Sequence, residues 1–345
     1  QAASGPGRPD ACARRPADDP GAANARSLPP RIVFVGGTGR SGTHVLAELL
    51  GRHPRYALVP IESRFHVNPG GFPDLLSGAV SREEFERKLR RFWWRRIPAG
   101  EAAPALLPGV ALGRQTRGLY KAIDEASFRD AVERFSRGTA AGTEPDPDSG
   151  SELRIACRRL FLDLLWPLAE AEQKFGIVEM STHTVARAPL LAELFPDSRL
   201  IHIVRDGRDA GSSKVAKRQK RSHPRDAAEG VDWWLGRLER AERAVAEAPE
   251  GYVLTLSLDE LALGDREATY GRLLEFLRIP DRRRMRRFFE RQMNAENASR
   301  GRWREGLSDA ERSAVTTRYE SALDRLEGSG WPSGPILRKV YERLG

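Results

Sequence analysis

The stretch from Arg31 to His44 reads RIVFVGGTGRSGTH, and its interpretation decides the fold. The apolar opening has the length and β-branched content of a buried strand over 31–36, the glycines end it, and the periodicity of VLAELL behind them predicts a helix over about 43–52. From Gly37 the spacing G-x-x-x-x-G is complete, but Thr43 and His44 stand where a nucleotide-triphosphate loop carries Lys and then Ser or Thr. Gly37, Gly39 and Gly42 let consecutive backbone N–H groups converge on an anion at a helix N-terminus, where the peptide dipoles add partial positive charge. The cation is Arg40, inside the loop rather than after it, with further hydroxyl or amide donors at Ser41, Gly42 and Thr43. Such a loop suits a phosphate whose charge is met by protein donors alone, without a metal ion.

Outward from the loop, YALVPI (56–61) predicts a second strand ending near Glu62, next in the sheet to the glycine loop. Ser81 and Glu84 in capping-box spacing and Pro98 bound a helix over 81–98, whose Trp93 and Trp94 read as core packing before they read as the roof of a cleft. Helices are predicted over 124–138 and 151–174, separated by the exposed connection GTAAGTEPDPDSG. Then come a strand at 175–180, a helix at 186–195 and a strand at 198–204 that ends on RDGRD. A basic stretch SSKVAKRQKRSH, a helix over 226–247, a strand over 252–257 and a helix over 266–278 follow. Alternating strands and helices imply a three-layer α/β fold of the P-loop type, a central parallel sheet flanked by helices. Ligands of such sheets sit at the carboxyl ends of the strands, which collects the glycine loop, Glu62, RDGRD and the residues after Ser257 around one crevice.

Residues 1–30 hold few large apolar side chains and are expected to be a disordered tail, leaving 31–345 as a single domain with a helical, substrate-side insertion at about 65–174. No run of about 18 apolar residues is present, so no membrane span is expected. The sequence opens on Gln1, so an upstream signal or anchor removed in maturation would leave no trace in it. Cys12 and Cys157 do not make a disulfide framework, and with the preference for arginine over lysine they suggest a bacterial cytosolic enzyme. A net charge of +9 raises the case for an anionic partner, although a solvated arginine surface accounts for most of it. Zinc spacings, helix-turn-helix signatures and RNA-binding aromatic motifs are lacking, so nucleic acid is not an expected partner.

A second anion signal is Arg205, directly after LIHIV, with Ser213 eight residues on: a guanidinium fork plus a hydroxyl suits a separate phosphate. With both signals in place, roughly residues 31–310 resemble the PAPS-dependent sulfotransferases, within them the branch of the tyrosylprotein sulfotransferases and their bacterial relatives. GRSGT (39–43) is similar to that family's 5′-phosphosulfate loop, with His44 closing it, and VRDGRDAGSS (204–213) to its 3′-phosphate element, with Lys217 at the place of a further basic residue. Glu62-Ser63-Arg64 resembles the branch's catalytic base and neighbouring arginine, and SRGRWREGLS (299–308) the segment that closes over the nucleotide through Ser299, Arg300 and Trp303.

The resemblance implies PAPS as co-substrate and no metal. It also implies sulfuryl transfer to a hydroxyl of a small molecule or carbohydrate, with peptide tyrosine as a further option, and a homodimer is compatible with it. Catalysis would rest on Glu62 as base, Arg40 on the leaving group, and Arg64. Two departures stand out. Met180 occupies the place of a lysine that assists the transferring sulfonate, leaving Arg64, Arg40 or His183 to supply that charge; Ser257 replaces an aromatic residue near the adenine. The alternatives are a P-loop small-molecule kinase using ATP and Mg²⁺, which would want Lys at position 43, and a non-catalytic module binding a nucleotide or polyanion, in which Glu62 would be dispensable.

Overall fold

The structure, a computed structural model, describes residues 28–95, 118–138, 149–216 and 224–344. The expected tail, Cys12, Pro98, most of the 138–150 connection and Lys217 lie outside the described residues. Among the described residues five parallel strands form the sheet: β1 Ile32–Gly37, β2 Tyr56–Leu58, β3 Gly176–Met180, β4 Arg199–Val204 and β5 Val253–Ser257, in the order β2-β3-β1-β4-β5. One expectation is corrected here: β2 pairs with β3, which lies between it and β1. Pairing is confined to Tyr56–Leu58, extended by Val59 N–H donating to Val178 O at 2.9 Å; the next residue, Pro60, has no N–H to continue the ladder.

Every residue of β1 is buried. Its side chains still alternate: Val33 and Val35 join one core, Ile32 and Phe34 the other, as a pleated strand covered on both faces requires. Helix α1 (Thr43–Gly51) closes the first face with Leu46, Leu49 and Leu50. The opposite face is covered by α2 (Phe72–Leu76), α3 (Arg82–Lys88), α4 (Glu125–Gly138), α5 (Ser149–Leu165), α6 (Pro167–Ala171) and α7 (Ala188–Leu194), which bring Phe72, Phe85, Phe128, Phe161 and Leu191 together in one core.

Helix α3 begins on the expected capping box of Ser81 and Glu84, but passes into a π-helical turn over Leu89–Trp93 instead of running on to 98. That turn buries Trp93 completely, and Trp94 stacks on Phe128 with ring centroids 4.3 Å apart, so both indoles serve the core. The predicted helix 151–174 is broken at Trp166–Pro167, because Pro167 lacks the N–H that would bond back into the preceding turn.

A helix that the sequence did not announce, α8 (Gly207–Val215), starts within RDGRD on an Asp206 cap. Its glycines mask it in a propensity reading, yet they permit close packing on α9 (Ala227–Glu247). A Cβ on Gly211 would stand 2.5 Å from the Gly230 carbonyl carbon. After β5 come α10 (Leu258–Ala262), α11 (Arg266–Leu277) and α12 (Arg283–Gln292), which complete the α1 face. Helices α13 (Asp309–Gly328) and α14 (Ser333–Leu344) pack with α8 and α9 around Trp234, Trp303 and Tyr319. No helix among the described residues is long and apolar enough to cross a membrane.

Candidate functional site

The loop between β1 and α1 is held in a backbone form that ordinary side chains avoid. Gly39 and Gly42 have φ of 83° and 93°, and Arg40 joins them at 64°. A Cβ on Gly42 would come within 2.7 Å of Leu258 Cδ2, so this glycine is required twice, for its angle and for its space. No side chain caps α1 and no acidic residue sits in its first turn, which leaves its N-terminal N–H groups and dipole turned toward a ligand.

Facing the loop is a cleft of about 370 Å³ lined by Gly39, Arg40, Gly42, Thr43, His44, Glu62 and Arg205, all expected from sequence. Val45, Thr182, Lys214, Trp233 and Arg237 complete it and were missed, with Leu258 from the segment after Ser257 that was expected there. Lys214 follows Ser213 directly and Thr182 sits in the STHT element, so both were within reach of the motifs; Trp233 and Arg237 lie on a helix whose facing only the packing of α8 on α9 sets. A second cavity of about 430 Å³, where Arg31 stacks on Trp166, opens near the amino ends of β1 and β4 and holds none of the expected residues.

At one end of the cleft two guanidinium groups meet. Arg40 Nε donates to Ser213 Oγ at 2.9 Å, and Arg205 Nη1 donates to the Arg40 carbonyl at 3.4 Å. Burial first, and the Arg205 charge second, hold the Arg40 guanidinium below its ordinary value. The carboxylate beside Arg205 is Asp209, whose Oδ2 stands 3.9 Å away and is already engaged, with Oδ1, by the N–H groups of Gly301 and Trp303. Two like charges held together with so little acidic compensation describe an anion site.

The remainder of RDGRD is structural. Asp206 caps α8 and pairs with Arg208, whose guanidinium lies 4.7–5.0 Å from the rings of Trp303, Tyr319 and Tyr341. Trp303, expected from sequence at the nucleotide, is 3% exposed and packs its indole in the core. Ser299 does reach the site, through its carbonyl, which accepts from Arg205 Nη2; Arg300 follows it, partly buried. Ser41 is fully buried with Oγ beside Gly37, and its side chain does not line the cleft.

Glu62 lines the same cleft. Its Oε2 accepts from Arg64 Nε at 2.6 Å and from Thr182 Oγ1 at 3.4 Å, while Oε1 lies 3.7 Å from His44 Nε2. Met180 Sδ is 3.0 Å from His44 Nδ1, so the residue in the lysine's place supports the imidazole from behind. Beneath them Glu179 is fully buried. It accepts from Ser63 Oγ at 2.8 Å and Ser181 Oγ at 2.6 Å and pairs with His66 at 3.1 Å. Burial alone would raise its pKa, but the His66 charge and these hydrogen bonds outweigh that and leave it lowered. Ser63 and Ser181 are thereby fixed, and Ser181 Oγ in turn accepts the Arg64 N–H at 3.1 Å, which places Arg64 in its left-handed conformation (φ 61°).

His183 does not supply the missing charge. Burial, then the charges of Arg237, Arg64, Arg187 and Arg240, push it down to about 4, so it is neutral at neutral pH. Ser257 caps α10 by accepting from Asp259 N–H and Glu260 N–H, a structural duty. Among the described residues no group of three or more His, Cys, Asp or Glu could hold a metal ion.

This is a three-layer α/β protein in which the glycine loop, two neighbouring guanidinium groups and the Glu62 carboxylate line one cleft. A profile of the sulfotransferase family matches residues 30–283, and the chain belongs to that family. It is a transferase of the sulfuryl group to an acceptor, which displaces the kinase reading. No curated protein matches. Similar solved structures include mouse sulfotransferase SULT7A1 complexed with PAP, 11% identical over 92% of each chain with a TM-score of 0.44. Sulfotransferase STF9 from Mycobacterium avium is 17% identical over 88% of this chain and 79% of that one, at 0.42. The sulfotransferase from Alicyclobacillus acidocaldarius is 13% identical over 87% and 94%, at 0.40. The assignment rests on the family match.

Proposed function

We propose that the donor is PAPS, that its 5′-phosphosulfate lies on the loop Gly39–His44, and that its 3′-phosphate is read by Arg205 and Ser213 with Lys217 and Arg300 in support. The observation that carries this reading is that Arg40, bonded to Ser213, and Arg205, bonded to the Arg40 carbonyl, line one cleft with Glu62. An acceptor hydroxyl gives its proton to Glu62, its oxygen bonds to sulfur, and the sulfur–oxygen bond to the phosphate breaks. The electron pair leaves with PAP, where Arg40 meets the charge that develops. Arg64 and Thr182 occupy Oε2 of Glu62 and orient Oε1 for the proton, which makes Arg64 a positioning residue. A sulfuryl group bears less negative charge than a phosphoryl group, so protein cations suffice.

Residues 31–345 act as one domain in this reading, with 65–174 shaping the acceptor side, and the composition suits a bacterial cytosolic enzyme. Thermal unfolding tests the donor. PAP at 100 times its dissociation constant stabilises the folded state by about 2.7 kcal/mol, and ATP with Mg²⁺ should do much less. Equal shifts from both nucleotides would defeat the two-phosphate assignment.

A further inference from the structure

Resting on the sulfuryl-transfer reading above, we infer that the acceptor carries a negative charge near its reacting hydroxyl, and that Arg237 receives it. Helix α9 presents Trp233 and, one turn on, Arg237 to the cleft. The Arg237 guanidinium lies 5.0 Å from the indole centroid and the Lys214 ammonium 5.3 Å from it, so one ring holds two cations at the cleft wall. Arg237 is partly buried, and among the described residues no carboxylate pairs with it and no acceptor hydrogen-bonds to it. A guanidinium taken from water without a partner is costly, and a ligand anion at that place recovers the cost.

The other two arginines lining the cleft are engaged, Arg40 with Ser213 and Arg205 with the Ser299 and Arg40 carbonyls, and Arg64 nearby is bonded to Glu62. Arg237 lines the same cleft as Glu62, and the Trp233 ring beneath it stands beside Gly39 of the loop. Its charge acts on His183, as do those of Arg64, Arg187 and Arg240, and His183 follows Thr182, the residue bonded to Glu62. Arg237 therefore adds positive charge to the cleft that also holds Glu62. Without that charge Glu62 and the polyanionic donor would repel an anionic acceptor; with it, a hydroxyl compound bearing a carboxylate or sulfate is favoured over a neutral one.

The test uses PAP-saturated full-length protein and calorimetric titration with two probes, 4-hydroxyphenylacetate and its neutral isostere 4-hydroxyphenylacetamide. The acid should bind about tenfold or more tightly than the amide. Arg237→Gln should abolish that preference, Arg237→Lys should keep part of it, and PAP affinity should stay within about threefold in both. Melting temperatures establish that the variants are folded. Equal binding of the two probes, or no measurable preference, overturns the inference. A fall in PAP affinity on Arg237→Gln overturns it as well, by assigning the cation to the nucleotide. Failure of PAP to bind the unaltered protein would strike the donor reading itself, a result distinct from either.

Discussion

In the proposed mechanism Glu62 serves the acceptor and Arg205 the donor, and single substitutions separate the two roles. Glu62→Gln keeps the shape and the Thr182 contact but removes the base. Turnover should fall about 10²-fold or more while PAP affinity changes less than about threefold. Steady-state kinetics beside calorimetry checks this, and unchanged turnover would return the proton to solvent or to the acceptor's own acidity. His183 is a poor substitute, because a group pushed down to about 4 is a weak base. Arg205→Ala should cost PAP binding roughly 1.5–3 kcal/mol and weaken adenosine 5′-phosphosulfate far less, since only PAP offers the 3′-phosphate. Arg205 also holds the Ser299 carbonyl, so an equal loss for both nucleotides would mean that it acts by fixing the 299–304 segment.

The loop between β1 and α1 gives the sharpest test at the level of an element. Gly42→Ala puts a side chain at φ 93° and against Leu258, whereas Gly78→Ala meets φ 74° with nothing within 4 Å. Backbone strain of about 1–3 kcal/mol applies to both, and Gly42 adds the clash. Denaturant unfolding should rank Gly42→Ala as the more damaging, and only that variant should lose PAP. A comparable loss of binding from Gly78→Ala would mean that global stability, not the loop, controls the site.

This loop was readable because the chemistry of an anion cradle is local: a strand, glycines at fixed spacing, a helix. The strands were readable for the same reason, each a short apolar run. Sheet order was not, because nothing in YALVPI records that β3 will enter between β2 and β1. Nor was α8, whose Gly207 and Gly211 are poor helix formers kept for contact with Trp234 and Gly230. The burial of the Trp303 indole and the Ser41 hydroxyl was not legible, because a motif fixes where a residue falls in the chain and packing decides which way it faces. Trp233 and Arg237 escaped notice since their spacing is that of any helix face.

Across the whole molecule, most of the arginine excess is a solvated surface, with ion pairs such as Arg225–Glu229 and Arg318–Asp232 that contribute little each. The titration that matters for stability lies in the core, where the sheet, α9 and the last helix meet. His202 on β4 and Glu242 on α9 are both fully buried, 3.6 Å apart, with Ser333 of α14 beside the carboxyl group. Burial pushes His202 down to about 3 and Glu242 upward, so each is held toward its neutral form.

The two signs differ. A depressed histidine contributes stability that is complete above its unfolded pKa, about 6.5, and is lost as pH falls below it. A raised carboxyl group contributes stability present below its unfolded pKa and lost as pH rises through the folded one. Glu242→Gln deletes the second effect and keeps the first. The melting temperature of Glu242→Gln, measured relative to the parent chain, should therefore climb as pH is taken from about 5 to about 8. Absence of a relative climb over that range would mean that burial does not hold the Glu242 carboxyl group toward its neutral form in the folded chain.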